Sequence, residues 1–251
     1  MTAPSGVTRI DVVLPAHDEE DRIAACLDAL LAARARLAEE HPDVAVSVTV
    51  VLDGCTDDTA TVVERFPVDG VATAHVGVGR ARTIGATHAL RQHPADPASR
   101  WLAHTDADSR VPEGWLVQQA DALRSGAHVL VGAVVPDPDD LDPVVLARWT
   151  QAHPPGAALG HVHGANLGVL ASAYLALGGF DPVPEHEDVR LVERAHAMGF
   201  RVDATVDLPV VTSGRFAGRT PGGYAEHLRR EYGDASCGPL RQLTGCRLGG
   251  H

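Results

Sequence analysis

Residues 10–58 read IDVVLPAHDEEDRIAACLDALLAARARLAEEHPDVAVSVTVVLDGCTDD, and the fold is decided there. Ile10 to Leu14 is a short apolar run closed by Pro15, and Val44 to Leu52 is a β-branched run that stops at Asp53-Gly54. Unbroken apolar runs of this length, bounded by turn residues, predict strands buried on both faces. Between them Ile23, Leu27, Leu30, Leu31 and Leu37 recur at helical spacing, with Asp18 positioned to cap the helix and acidic residues to fill its first turn. The unit is strand, helix, strand, and such units pair their strands in parallel.

The alternation continues outward: a helix over Asp57 to Phe66, a strand over Val71 to Val76, a helix over Arg80 to Gln92, a strand over Trp101 to Thr105, a helix over Pro112 to Arg124 and a strand over Val129 to Val135. This predicts an α/β fold with a mostly parallel central sheet flanked by helices. At PDPDDLDP the pattern breaks, so a seam is expected after residue 135. Beyond it helices are expected at Asp142 to Ala152, Ser172 to Leu177 and Asp188 to Met198, and a strand at Arg201 to Val206. The Gly-rich residues 234–251 read as a flexible tail. The expected organisation is one domain with a half over 1–135, a second over 136–233, and that tail.

Composition excludes several classes. With 251 residues and 45% hydrophobic content the chain can bury one substantial core. Its 21 basic residues, all arginine, face 33 acidic ones, and a net charge of −12 repels nucleic acid. Without lysine there is neither a P-loop amine nor a Schiff base. Cysteines at 26, 55, 237 and 246 are too few and too unevenly spaced for a disulfide framework or a paired zinc knuckle. MTAPSGVTRI is no signal sequence, and no apolar segment approaches the ~18 residues of a membrane span, so a cytoplasmic protein is expected.

Ligands of open parallel sheets bind beyond the carboxyl ends of the strands, and those ends are acidic here: PAHDEE at 15–20, DGCTDD at 53–58 and DAD at 106–108. Asp106 and Asp108 can share a hard divalent cation with phosphate oxygens. Taken alone, such a pair could equally cap the next helix. Asp53 can accept from a nucleobase N–H or a ribose hydroxyl, or simply close an Asp-Gly turn. Gly77-Val78-Gly79-Arg80-Ala81-Arg82 lacks the third glycine of a dinucleotide fingerprint, since that position is Arg82. Arg82 at a helix head suits phosphate recognition, or is a solvated charge. Glu187-Asp188 opens a helix, where acids are electrostatically routine, yet a carboxylate across a cleft from a metal-bound diphosphate is suited to take a proton from a hydroxyl.

PAHDEE, DGCTDDT, GVGRARTIG, DAD and GGFDPVPEHED occur in that order between Ile10 and Val211. In this the chain resembles the family 2 glycosyltransferases of GT-A fold, whose members carry P-A-x-N-E-E, D-x-S-x-D, G-x-x-x-A-R-N-x-G, DxD and G-G-F-D followed by an E-D pair. The resemblance implies a Rossmann-like nucleotide-sugar-binding half over 1–135 and an acceptor and catalytic-base half over 136–233. It implies that Pro15, Ala16, Glu19 and Asp53 hold the nucleoside, that Arg82 lies near the diphosphate or orders the site, and that Asp106 contacts the ribose or sugar. Asp108, with Asp106, would hold Mg²⁺ or Mn²⁺, and Asp188 would be the general base. Glu187, His163 and Asn166 would line the sugar and acceptor pocket, and His227 would be an extra metal ligand. His17-Asp18, Cys55 and Thr83 depart from the family pattern of an aromatic-Asn pair, Ser and Asn. Thr212-Ser213-Gly214-Arg215, with Arg219, resembles the C-terminal loop that can close over a diphosphate.

The implied activity is inverting transfer from a UDP- or GDP-sugar to a hydroxyl of a small soluble acceptor, with no nucleic acid or membrane partner and with a homodimer as an open assembly. Three other readings stay in view: a retaining enzyme resembling glucosyl-3-phosphoglycerate synthase, a sugar-phosphate nucleotidyltransferase, and a non-catalytic nucleotide-sugar binder.

Overall fold

A computed structural model describes residues 6–154, 162–183, 185–215 and 224–232, the side chains of 224–227 excepted. The opening unit forms as its sequence dictates: β1 (Arg9–Ala16), α1 (Ile23–Glu40) and β2 (Ala45–Asp53). There follow α2 (Thr59–Val63), β3 (Asp69–Thr73), α3 (Val78–Gln92), β4 (Arg100–His104), the two-residue β5 (Ser109–Arg110), α4 (Trp115–Arg124) and β6 (Val129–Pro136). Past the acidic break come α5 (Pro143–Ala152), β7 (Leu167–Leu170), α6 (Ala171–Leu177), α7 (Glu187–Ala197), β8 (Val202–Thr212) and α8 (Tyr224–Tyr232).

These strands form one eight-stranded sheet in the order β3-β2-β1-β4-β7-β6-β8-β5. The first half is parallel, with Val12 of β1 facing Val48 of β2 and Ala103 of β4. The sheet as a whole is mixed but, as expected, mostly parallel, since β6 also pairs parallel with β8. β7 runs antiparallel to both β4 and β6, and β5 pairs antiparallel with the end of β8. Neither β7 nor β5 is apparent in the sequence, because four apolar residues and a two-residue strand are too short to show a period. β8 is also longer than expected and reaches Thr212, its register shifting between Gly132 and Val134 of β6.

The core lies on both faces of the sheet. α3 rests directly on β1 and β2 because Gly85 has no side chain; a Cβ there would come within 2.8 Å of the Val51 methyl and also meet Val13. Trp101 and Trp115 are fully buried, and each indole N–H finds an amide, Gln119 Oε1 at 2.6 Å and Asn166 Oδ1 at 2.8 Å. At the amino ends of β1 and β4, buried Asp11 pairs with Arg100, whose guanidinium also donates to the Ala89 and His93 carbonyls at 2.6 Å and caps the end of α3. This buried charge lies at the end of the sheet away from the acidic loops and serves the fold.

Asp18 does not cap α1. The helix begins at Ile23 with Arg22 at its cap and no acid in its first turn. The acids before it fasten two loops instead. Asp18, at φ 51°, accepts from the Thr56 amide at 2.6 Å, while Glu20 accepts from Asp58 N at 2.8 Å and Asp57 from Glu20 N at 3.0 Å. Residues 234–251 lie outside the described residues.

Candidate active site

The three acidic loops meet at the carboxyl edge of β1, β2 and β4, and α7 brings a fourth acidic pair to them. Arg82, on the first turns of α3, is the link. It is only 2% exposed, so it is not a solvated charge. Its Nη2 donates to Asp106 Oδ1 at 2.5 Å, its Nε to Glu187 Oε1 at 3.2 Å, and its Nη1 to the Thr105 carbonyl at 3.4 Å. Burial opposes its charge, but Asp106, Glu187 and Asp188 outweigh that and hold it firmly protonated. Burial pushes the Glu187 carboxyl up while Arg82 pulls it down. The DxD loop and the head of α7 are thus tied through one guanidinium.

Asp188 shares the first turn of α7 with Glu187 but turns the other way. Its Oδ2 accepts from the Gly164 amide at 2.6 Å and its Oδ1 from its neighbour Val189 N at 2.7 Å. These bonds orient the carboxylate and leave each oxygen a further lone pair. His163 is half-buried and precedes the short 3-10 turn Gly164–Asn166, where its carbonyl accepts from Asn166 N at 3.0 Å. Asn166 itself does not line a pocket. It is fully buried, with Oδ1 accepting from Trp115 and Nδ2 donating to the Ala133 carbonyl at 2.9 Å, so both ends of its amide support the core.

Asp108 stands on the far side of Asp106. Burial and then the Asp106 charge push its carboxyl up to about 6, against the pull of Arg215. Arg215 Nη2 lies 3.0 Å from Asp108 Oδ2, and the same guanidinium grips both oxygens of Glu19 at 2.6 and 3.0 Å. Glu19, expected to face the nucleoside, is therefore engaged by an arginine at the end of β8. Asp106 and Asp108 offer hard oxygen donors where negative charge is in excess, and these residues could hold Mg²⁺ or Mn²⁺. A separate group, Asp18, Cys55 and Asp57, also brings its ligand atoms within 4.8 Å of one another. Its carboxylates are already occupied by the loop amides, and burial pushes the Cys55 thiol up, keeping it protonated. The His227 side chain lies outside the described residues.

At the end of β2 the buried Asp53 folds back onto the loop after β3. Its Oδ1 accepts from Val76 N at 2.7 Å and Thr73 Oγ1 at 3.0 Å, and its Oδ2 from Gly77 N at 3.0 Å. His17 and His75 lie side by side above it, ring centroids 4.4 Å apart, and His17 Nδ1 is 2.7 Å from the Asp53 carbonyl. Pro15 and Ala16 end β1 beside them; Pro15 is half-buried, and the Ala16 carbonyl accepts the Cys55 thiol at 3.3 Å. Sequence reasoning missed His75 and the pairing of Arg215 with Asp108. His75 sits in a segment with no motif, and Arg215 is reached only through the full length of β8.

The fold is shared with several solved structures. S. aureus TarS, residues 1–349 in complex with UDP, superposes with a TM-score of 0.59 at 15% identity, covering 82% of this chain and 61% of that one. The chain thus spans about three fifths of the TarS fragment's length. The mannosyltransferase PcManGT from Pyrobaculum calidifontis, in complex with GDP-Man and Mn²⁺, gives 0.59 at 20% identity, with 91% and 70% covered. Glucosyl-3-phosphoglycerate synthase from Mycobacterium tuberculosis, in complex with phosphoglyceric acid, gives 0.57 at 17% identity, with 94% and 85% covered. No curated protein matches the chain by sequence. The model of the family described as Glycosyl transferase family 2, however, matches residues 11–176, from the first strand through the DxD to α6, and the chain therefore belongs to that family and has its GT-A fold.

Proposed function

We propose that the protein transfers a sugar, with inversion, from a UDP- or GDP-sugar to a hydroxyl of a small acceptor, using Mg²⁺ or Mn²⁺ held by Asp108 with Asp106. The observation that supports the reading is Arg82, which ties Asp106 of the DxD to Glu187 at the head of the helix that carries Asp188. A cation held there by Asp106 and Asp108 would supply positive charge to the departing diphosphate. Residues 1–135 hold the donor, with Pro15, Ala16, Glu19 and Asp53 around the nucleoside. His17 and His75 offer ring faces to a base, and Asp53 keeps their loops in register. Residues 136–233 receive the acceptor, with His163 and Glu187 beside the reacting sugar. Asp188, oriented by two amides, accepts the acceptor's proton on a free lone pair as the hydroxyl attacks the anomeric carbon.

The donor, the acceptor and a cytoplasmic location form one proposal. It accords with the absence, among the described residues, of any helix long and apolar enough to cross a membrane. A thermal-shift panel of UDP, GDP, dTDP and CDP with and without Mn²⁺ tests the donor class; stabilisation by one nucleotide only with the cation is expected. Asp188→Asn should lower the transfer rate by about 10²–10⁴-fold while leaving that shift intact. Equal loss of both would remove Asp188 as the base. NMR of the first-formed product anomer separates inversion from retention.

A further inference from the structure

Among the described residues, the segment that leaves β8 crosses the DxD loop on a fixed course. Thr212 is the last residue of β8, pairs with Ser109, and its hydroxyl bonds Ser109 Oγ at 2.8 Å. Ser213 Oγ and Gly214 N both donate to Asp140 Oδ2, at 3.1 and 2.9 Å. Asp140 is itself clamped by both terminal nitrogens of Arg22, at 2.9 and 3.0 Å. These anchors are independent of Arg215 and deliver its guanidinium to one place, between Glu19 and Asp108. There Nη2 serves both carboxylates at once, 2.6 Å from Glu19 Oε1 and 3.0 Å from Asp108 Oδ2. The other oxygen of Asp108 accepts from the Ser109 and Thr212 hydroxyls, each at 3.4 Å. Among the described residues the guanidinium in contact with Asp108 is thus that of Arg215, with Arg22 adding a more distant positive charge.

We infer that Arg215 is an internal counter-ion that competes with the divalent cation for Asp108, and that Glu19 is the post to which its guanidinium withdraws when the cation binds. The inference rests on the proposed cation role of Asp108. A divalent ion on Asp108 Oδ2 meets a like charge a few ångströms away, and nothing but displacement relieves that repulsion. The bidentate grip of Glu19 lets the guanidinium give up Asp108 without giving up its partner. Free cation therefore binds weakly until Arg215 moves, and Glu19 and Arg215 together set the affinity. Arg215 and Glu19 are positioning residues in this scheme, acting through Asp108.

The test is Mn²⁺ binding without nucleotide, followed by the paramagnetic resonance of free Mn²⁺, in the wild type, Arg215→Gln, Glu19→Gln and Asp108→Ala. Arg215→Gln should bind Mn²⁺ about tenfold more tightly, the effect of removing one adjacent like charge. Glu19→Gln, which leaves the guanidinium to Asp108 alone, should bind it several-fold more weakly. A merely structural strap would weaken binding in both variants, so the opposite signs are the signature, and Glu19→Gln stands as the readout if Arg215→Gln fails to fold. Unchanged or weaker binding in Arg215→Gln, with binding still abolished by Asp108→Ala, overturns the competition and leaves the cation site standing. Binding that does not depend on Asp108 at all overturns both.

Discussion

Asp108 carries a charge that the metal-free fold resists. Its carboxyl is raised to about 6 by burial and by Asp106, so the folded state holds the proton more tightly than the unfolded chain does. The sign follows from that. Its contribution to stability is fully present below the ordinary carboxylate range near pH 4 and is lost as the pH rises through about 6. Asp108→Asn should therefore stabilise the metal-free protein at pH 7.5, relative to pH 4.5, by roughly 1–3 kcal/mol, while abolishing metal-dependent turnover. Denaturation in chelator at the two pH values measures it, and a variant no more stable at pH 7.5 would refute the assignment. At this scale the sequence identifies residue types well and their partners poorly. Arg82 reads equally as a phosphate ligand and as a surface charge until its burial is known. Asp18 reads as a helix cap, and its actual donors, the amides of Thr56 and Asp57, lie across a loop. Asn166 stands in a plausible pocket motif, yet its amide is consumed by a tryptophan and a carbonyl.

β7 is the element that holds the centre of the sheet, because it joins β4 to β6 by antiparallel pairing on both sides. Its Gly168 faces the hydrogen-bonded Trp101 indole and Gln119 amide so closely that a Cβ would run into both. Gly168→Ala must push that pair apart inside a packed core, an overpacking that costs about 1–3 kcal/mol. The melting temperature should fall by roughly 2–4 °C for each kcal/mol lost in a chain of this size. An unchanged melting temperature would mean that the strand yields and does not hold the centre of the sheet. Helices α1 to α7 and strands β1 to β4 and β6 were legible to within a few residues, since period or an unbroken apolar run marks each one, whereas β8 runs six residues past its expected end. β7 was not, because the strand is four residues long and all four are buried.

Across the whole molecule, Arg82 joins α3 to the DxD loop and to α7, from opposite sides of the acidic break. Removing it leaves the buried Glu187 and the half-buried Asp106 without this counter-charge. Arg82→Ala should lower the unfolding free energy by about 3–5 kcal/mol and shift the midpoint of a urea transition accordingly. Arg82→Lys should recover little of it, since one ammonium cannot reproduce the fork that reaches both carboxylates. Wild-type stability in Arg82→Ala would show that the two halves are held together elsewhere. The sequence by itself determined the order of strands and helices in the first half, the two-residue β5 excepted, and the acidic character of the strand ends. It also carried the five ordered motifs of the family, because period, turn chemistry and spacing are local properties of the chain. Only the tertiary structure decided the mixed pairing of the sheet and the partners of the acids at its edge. Glu187 is 105 residues from Arg82, and Glu19 is 196 from Arg215, so no local pattern encodes those pairs. They exist because the sheet brings distant strand ends to one edge, where burial makes an unpaired charge too costly to keep.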